Sequence, residues 1–202
     1  MFFKEVIIVF LVCLFALQPL FAQTLLDSIT LSQQRVYKSL SVALQNPDSV
    51  FILDLSKKKL KQIPTEVSGF KNLQVLNLSR NKIMEVSGEI GSLAHLQQLN
   101  LSYNKIKQLP AEIGNLSNLV YLGLNRNLIE TLPPEMGKLK ALEVLEMWDN
   151  ELGLVPEELR GMNSLRIWEL RGILFSEEEQ NSIHQLLPDA RIYFSPSCNC
   201  KY

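Results

Sequence analysis

Two histidines and a pair of cysteines near the C-terminus are the residues of this 202-residue chain best suited to chemistry. His95 and His184 lie far apart in the sequence, and neither belongs to a nucleophile motif, a phosphate-binding loop or a spaced set of metal ligands. We expect both side chains at the surface. The sequence therefore predicts a protein that is not an enzyme and that uses no cofactor and no metal.

Of the three cysteines, Cys13 lies in an N-terminal apolar run, and Cys198 and Cys200 are separated by a single residue. This spacing is compatible with a strained local disulfide, a disulfide to a partner, a thiol metal site or an inert tail. A metal site lacks companion ligands, and two cysteines are too few to staple a whole fold. The rest of the chain must therefore be stable through packing alone.

The elements that position any functional side chain come from an internal repeat of 23 residues. Apolar residues recur at its first, fourth, sixth and eleventh positions. The six first positions are Val50, Leu73, Leu96, Leu119, Leu142 and Leu165. Alternation between the fourth and sixth positions predicts a short strand that buries both side chains and turns the residues between them outward.

An asparagine ladder is predicted at the ninth position of the repeat, which holds Asn81, Asn104, Asn127 and Asn150. An amide both donates and accepts, so each can satisfy backbone groups of neighbouring coils. Prolines then begin a return segment with apolar residues at helical spacing; these are Pro64, Pro110, Pro133 and Pro156. Each coil is thus predicted to be a strand, a turn and a short helical return that shares one core with its neighbours.

The pattern L-x-x-L-x-L-x-x-N-x-L over residues 50–175 resembles the leucine-rich repeat family. Residues 109–119, L-P-x-E-I-G-x-L-x-x-L, are similar to a subclass found in plant Ras-group-related proteins and many bacterial ones. The resemblance implies an α/β fold, a right-handed solenoid with a parallel sheet of about six strands on its concave side. It also implies a protein-binding scaffold, because members of the family are mostly of that kind.

The segments outside the repeats predict a leader and two caps. Residues 1–22 join a basic start to a short apolar run, which predicts a signal peptide cleaved after Ala22 and an exported protein without stable membrane insertion. An uncleaved anchor is the alternative. Within residues 23–49, a helix over residues 27–45 is expected to cap the first coil. Within residues 176–202, a helix and a strand over residues 190–194 are expected to cap the last.

The outward strand positions, the third, fifth and seventh of each repeat, form the predicted concave face. Small polar residues fill this face in the early repeats, and aromatic and charged residues follow. The candidate binding residues are Tyr103, Tyr121, Arg126, Glu146, Trp148 and Arg171. An outward Trp148 in a column of serines predicts a binding hot spot. The alternative is that Trp148 packs on the terminal cap, on Arg126 or on Arg171.

Charge gives little guidance, because 20 basic residues oppose 21 acidic ones. No global field favours nucleic acid or an anionic membrane. Acids beside the aromatic residues, namely Glu146, Asp149 and Glu169, favour a partner with a basic or amide-rich segment and an apolar anchor. We therefore predict a non-catalytic module that binds a protein or peptide. The alternative is a structural or adhesive envelope protein that binds glycans through Tyr121 and Trp148. The sequence indicates no oligomeric state.

Overall fold

The computed structural model describes residues 25–196, and the chain divides into two compact units, residues 1–33 and 34–202. The described part of the first unit contains helix α1 (Ser28–Ser32). Asp27 begins this helix, because its carboxylate accepts the backbone N–H groups of Ile29 and Thr30. The hydrogen bond that the Thr30 backbone N–H donates to the Asp27 carboxylate is the main reason why the pKa of Asp27 lies below its usual value. The predicted signal peptide, Cys198 and Cys200 lie outside the described residues.

The described part of the second unit is built on one sheet of eight parallel strands, whose order in the sheet is their order in the chain. The strands are β1 (Val36–Tyr37), β2 (Ile52–Asp54), β3 (Val75–Asn77), β4 (Gln98–Asn100), β5 (Tyr121–Gly123), β6 (Val144–Glu146), β7 (Ile167–Leu170) and β8 (Arg191–Phe194). Strands β2 to β7 come from the six repeats and pair in a register of 23 residues, so Leu53 lies beside Leu76 and Leu76 beside Leu99. The predicted solenoid with a parallel sheet is confirmed.

The core is a stack of apolar columns that run through all the coils. The fourth position of the repeat is fully buried in every coil, by Leu53, Leu76, Leu99, Leu122, Leu145 and Trp168. Burial of each such side chain contributes about 1.5–3 kcal/mol to folding. Because like positions stack on like, no coil buries its apolar face without its neighbours.

The return segments are 3₁₀ turns of five residues rather than α-helical returns. They are Thr65–Gly69, Gly88–Ser92, Ala111–Asn115, Pro134–Lys138 and Glu157–Gly161. Only a few residues separate each turn from the next strand, so the chain takes the tighter i→i+3 bonds, such as Ile113 N–H to the Pro110 carbonyl at 3.1 Å. The turns stack closely. A Cβ on Gly114 would overlap the carbonyl oxygen of Glu135 in the next coil.

The N-terminal cap differs from the single helix predicted over residues 27–45. Strand β1 replaces the middle of that helix and pairs with β2, because Val36 and Tyr37 are a β-branched and an aromatic residue beside an open sheet edge. Helix α2 (Leu40–Ala43) then follows, with a 3₁₀ turn at Pro47–Ser49. Tyr37 and Ala43 are buried in the core. An added strand and a short helix therefore cover the first repeat.

The C-terminal cap has the helix and strand that the sequence predicts. Helix α3 (Glu177–Leu186) begins with a capping box, in which Ser176 and Glu179 satisfy each other's backbone N–H groups. Strand β8 pairs with β7, and the ring of Phe194 packs edge-on against Phe175 with centroids 6.0 Å apart. Together with β1, this strand raises the sheet from six strands to eight.

Candidate functional site

The asparagine ladder holds the turns that follow the strands in place. Asn127 accepts the Ile106 N–H at 3.1 Å and donates to the carbonyl oxygens of Leu101 and Leu124 at 3.1 and 2.9 Å. Its amide therefore joins neighbouring coils. Asn81, Asn104 and Asn150 make equivalent bonds. Three of the four amide side chains are buried, and that of Asn104 is half-buried.

The residue that precedes each ladder position has a left-handed backbone. These residues are Lys57, Arg80, Tyr103, Arg126, Asp149 and Gly172, with φ between 52° and 79°. A side chain is strained in this region. The backbone N–H groups are nevertheless held by the next coil: that of Gly172 donates to the Ser195 hydroxyl, and the other five donate to carbonyl oxygens. Tyr103 N–H donates to Asn125 at 2.7 Å and Arg126 N–H to Trp148 at 2.9 Å. The column is therefore rigidly placed along one edge of the concave face.

Tyr103, Arg126 and Trp148 form an aromatic cluster at this edge. The two rings meet edge to face, with centroids 6.1 Å apart and planes at 87°. The Arg126 guanidinium lies 5.3 Å from the Tyr103 centroid and 4.9 Å from that of Trp148. Trp148 is half-buried, so part of its ring remains open to a partner. Of the packing sites considered for Trp148, the structure places it on Arg126.

Tyr121 and Glu146 form a polar network beside the aromatic cluster. The Tyr121 hydroxyl donates to Glu146 Oε2 at 2.9 Å, and the Asn125 amide donates to the same oxygen at 2.8 Å. Asn125 also accepts the Trp148 backbone N–H at 3.1 Å, which joins network and cluster. Gly123 leaves the space that this hydroxyl occupies, since a Cβ there would lie 2.7 Å from it.

Burial is the main reason why the pKa of Tyr121 is raised above its usual value. The hydrogen bond to Glu146 and the charge of that carboxylate act in the same direction. Tyr121 therefore keeps its proton and remains a donor to Glu146. Because the hydroxyl proton is already donated to Glu146 in the free protein, it is not free to form a hydrogen bond with a ligand.

The Arg171 side chain contacts Glu169 of β7 and Tyr193 of β8. Its guanidinium donates to both carboxylate oxygens of Glu169, at 2.6 and 2.7 Å, and lies 5.9 Å from the Tyr193 ring centroid. The hydrogen bond and the charge of Glu169 raise the pKa of Arg171. Of the six candidate residues, three thus form the cluster, two the adjoining network, and Arg171 a separate pair.

The acids near the aromatic residues are engaged within the protein. Glu146 accepts from Tyr121 and Asn125, Glu169 pairs with Arg171, and Asp149 lies 3.2 Å from the Arg126 guanidinium. These contacts weaken the prediction of a basic or amide-rich partner, because such a partner would have to displace or share them. Their positions in the sequence place these acids near the aromatic residues but do not show which groups they contact.

Three contributors to the site were missed in the sequence. Asn125 interrupts the serine column of the seventh position, which is a visible signal in the aligned repeats. Arg80 lies 4.5 Å from the Tyr103 centroid and precedes it by one repeat. Tyr193 is harder to predict, because β8 follows β7 by 24 residues, one more than the repeat length. Tyr193 lies beside Glu169 in the pairing of these two strands.

The family of the chain follows from its repeats and their register. The family model for the leucine-rich repeat matches residues 48–106 and 71–129. These residues are leucine-rich repeats, as the sequence pattern predicts. No curated protein sequence matches it significantly.

Solved structures of leucine-rich repeat proteins share the fold. One from Leptospira interrogans is 28% identical with a TM-score of 0.52, and the match covers 80% of this chain and 58% of that one. A plant peptide hormone receptor in complex with RGF2 is 30% identical with a TM-score of 0.62, covering 80% and 26%. Internalin C2 of Listeria monocytogenes is 22% identical with a TM-score of 0.64, covering 78% and 66%. The chain spans less than two thirds of the first two proteins.

Leucine-rich repeat proteins are generally binding scaffolds rather than enzymes. In this one, His184 is exposed and packs edge-on against Phe194, with centroids 5.4 Å apart. His95 is half-buried, and its Nδ1 lies 2.9 Å from the Lys71 carbonyl oxygen. Residues 25–196 contain no group of three His, Cys, Asp or Glu side chains arranged to hold a metal ion. Over the same residues, no helix has the length and apolarity needed to cross a membrane.

Proposed function

We propose that this leucine-rich repeat chain is an exported, non-catalytic module that binds a protein or peptide on the C-terminal half of its concave face. The observation that carries the proposal is the aromatic cluster of Tyr103, Arg126 and Trp148. It joins two aromatic rings and a guanidinium on rigid coils and leaves Trp148 partly open. Trp, Tyr and Arg are the residue types that dominate binding hot spots.

Two further points support this function. Leucine-rich repeats commonly serve as protein-interaction modules, and one similar structure is a plant peptide hormone receptor in complex with RGF2. The cluster is also preorganised, because the backbone of Tyr103, Arg126 and Trp148 is bonded to neighbouring coils. A preorganised surface loses little conformational freedom on binding. Export is proposed from the N-terminal apolar segment alone.

The glycan-binding alternative needs Tyr121 and Trp148 to offer their rings together. The ring contact of Trp148 is with Tyr103, while the Tyr121 hydroxyl is bonded to Glu146. Arg126 also covers one region of the Trp148 ring. These contacts favour a protein or peptide, which can use the exposed part of Trp148 as an anchor, over a sugar ring that needs an open aromatic face.

The proposal is tested by capturing a partner with protein that lacks residues 1–22 and comparing two variants by calorimetry. Trp148→Ala should weaken binding by about thirtyfold, since a central aromatic contributes about 2 kcal/mol or more. Ser56→Ala is the matched control, because it changes the same repeat position in the first coil. Circular dichroism confirms that both variants fold. Equal affinities of the two folded variants would contradict the proposed site.

A further inference from the structure

One edge of the sheet carries a strong local charge that the net charge of the chain conceals. The turns after β2 to β5, residues 57–61, 80–84, 103–107 and 126–130, contain nine of the 20 basic residues and a single acid, Glu130. We call these nine the basic ridge: Lys57, Lys58, Lys59, Lys61, Arg80, Lys82, Lys105, Lys107 and Arg126. All nine are exposed.

The backbone of the basic ridge is bonded from one coil to the next. Lys82 N–H donates to the Leu60 carbonyl and Lys105 N–H to the Ile83 carbonyl, both at 2.8 Å. Lys59, Lys82 and Lys105 occupy the same repeat position in successive coils, which lie about 4.8 Å apart. Four coils therefore present rows of cations over about 15 Å. The fixed backbone keeps the attachment points of these side chains at this spacing, while the flexible lysine side chains can adjust to a partner.

Ion pairs neutralise only one end of the basic ridge. Lys107 lies 3.7 Å from Glu130, and Arg126 lies 3.2 Å from Asp149. The remaining seven cations make no ion pair with any residue in the range 25–196. The expectation of no directing field holds for the whole chain but fails for this edge, since the balancing acids lie elsewhere.

The basic ridge and the aromatic cluster form one surface. The Arg80 guanidinium lies 4.5 Å from the Tyr103 ring centroid, and Arg126 belongs to both groups. A partner that covers Trp148 therefore reaches the unpaired cations without crossing a gap. Arg80 makes no ion pair with any residue in the range 25–196, so an uncompensated positive charge lies directly beside the cluster.

We infer that the partner of this module carries an acidic segment, which lies along the basic ridge while an apolar group binds the aromatic cluster. This inference rests on the proposed function and specifies the chemistry of its partner. Four or five residues of extended peptide span about 15 Å, so a short run of Asp or Glu matches the ridge. A protein segment is favoured over a lipid surface or a nucleic acid because the ridge continues into aromatic side chains suited to an apolar anchor. Complementary charge of this kind accelerates association and fixes orientation.

The test uses fluorescein-labelled decaglutamate as the probe and fluorescence anisotropy at low salt. The variant Lys59→Glu, Lys82→Glu, Lys105→Glu should bind the probe at least about tenfold more weakly than wild type. The control Lys38→Glu, Lys71→Glu, Lys138→Glu makes the same change in net charge at exposed lysines outside the ridge. It should change the affinity by less than about twofold, and binding by wild type should weaken as salt rises towards about 0.2 M.

Three outcomes would overturn the inference. The first is that wild type does not bind decaglutamate. The second is that the folded ridge and control variants lose affinity for the peptide equally. The third is that the ridge binds phosphatidylglycerol vesicles but not the peptide. The last result would assign the ridge to an anionic membrane. The peptide test involves no captured partner, so its failure leaves the concave-face proposal intact. Failure of the Trp148→Ala test would in turn leave the ridge result unchanged.

Discussion

At the scale of single residues, the concave face changes character where Gly123 replaces a polar side chain. The missing side chain admits the Tyr121 hydroxyl, which reaches Glu146 on the next strand. Glu146 also holds Asn125, and Asn125 holds the backbone of Trp148. The position of the half-buried Trp148 therefore depends on a series of contacts that begins at Gly123.

Tyr121 should titrate at a higher pH than is usual for a tyrosine. Burial and the neighbouring carboxylate raise its pKa, so the stability that this site contributes is complete below about pH 10 and is lost as pH rises through the raised pKa. Glu146→Gln removes the carboxylate charge and should lower the pKa of Tyr121. Ultraviolet absorbance of tyrosinate measures both curves.

Glu66→Gln is the control for this titration, because Glu66 is an exposed acid in an outer 3₁₀ turn. Its tyrosinate curve should match that of wild type, with folding checked by circular dichroism at each pH. A curve for Glu146→Gln that coincides with wild type would contradict the proposed coupling between Tyr121 and Glu146.

At the scale of elements, each coil is a three-residue or four-residue strand, a left-handed turn and a short 3₁₀ return. None of these elements is stable alone. The asparagine ladder supplies the bonds that the turns cannot make for themselves, and the leucine columns supply the apolar burial. The side chains of the aromatic cluster are held in position because this framework repeats without insertion through residues 50–175.

Asn127→Ala should lower the free energy of unfolding by at least about 1–3 kcal/mol. The change leaves the Ile106 N–H without its acceptor inside the stack. It also removes one of the two amide donors to each of the Leu101 and Leu124 carbonyls, which keep their bonds to Asn104 and Asn150. Denaturant unfolding measures the loss. Asn115→Ala is the control, since Asn115 is an exposed asparagine in an outer turn. Unfolding midpoints that agree for the two variants would argue against the ladder as a stabilising element.

The sequence predicts the repeating elements well, because their spacing alone determines which residues share a face. It predicts β2 to β7, α3 and β8. Strand β1 was missed, since two residues become a strand only where a sheet edge receives them. For a similar reason, the sequence did not predict that Glu146 accepts from Tyr121 or that Glu169 pairs with Arg171. Contacts between charged side chains depend on where the side chains of neighbouring strands point, and the aligned repeats do not show this direction.

At the scale of the whole molecule, a net charge of −1 hides a separation of charge along the solenoid. Basic residues collect in the turns of the first four repeats. The corresponding turn of the fifth contains Asp149 and Glu151 instead. The aromatic cluster lies where the basic turns give way to acidic ones. This arrangement gives the surface a direction, so that a partner with an acidic segment and an apolar anchor binds in one orientation.

The proposed export predicts where the mature chain begins. Residues 6–17 form an apolar run shorter than the roughly 20 residues that a spanning helix needs, so the mature protein should begin at Gln23. Intact-mass measurement on protein purified from its native host checks this. A mass that still includes residues 1–22 would favour the membrane-anchor alternative and remove the proposal of a released protein.

The most direct measurement of the central claim uses the two tryptophans of the chain. Trp168 is fully buried, whereas Trp148 is half-buried in the aromatic cluster, so quenching of fluorescence by acrylamide reports mainly on Trp148. The account predicts that saturation with the captured partner protects this tryptophan and lowers the quenching constant. A partner that binds fully while the quenching constant stays unchanged would show that the binding surface lies elsewhere.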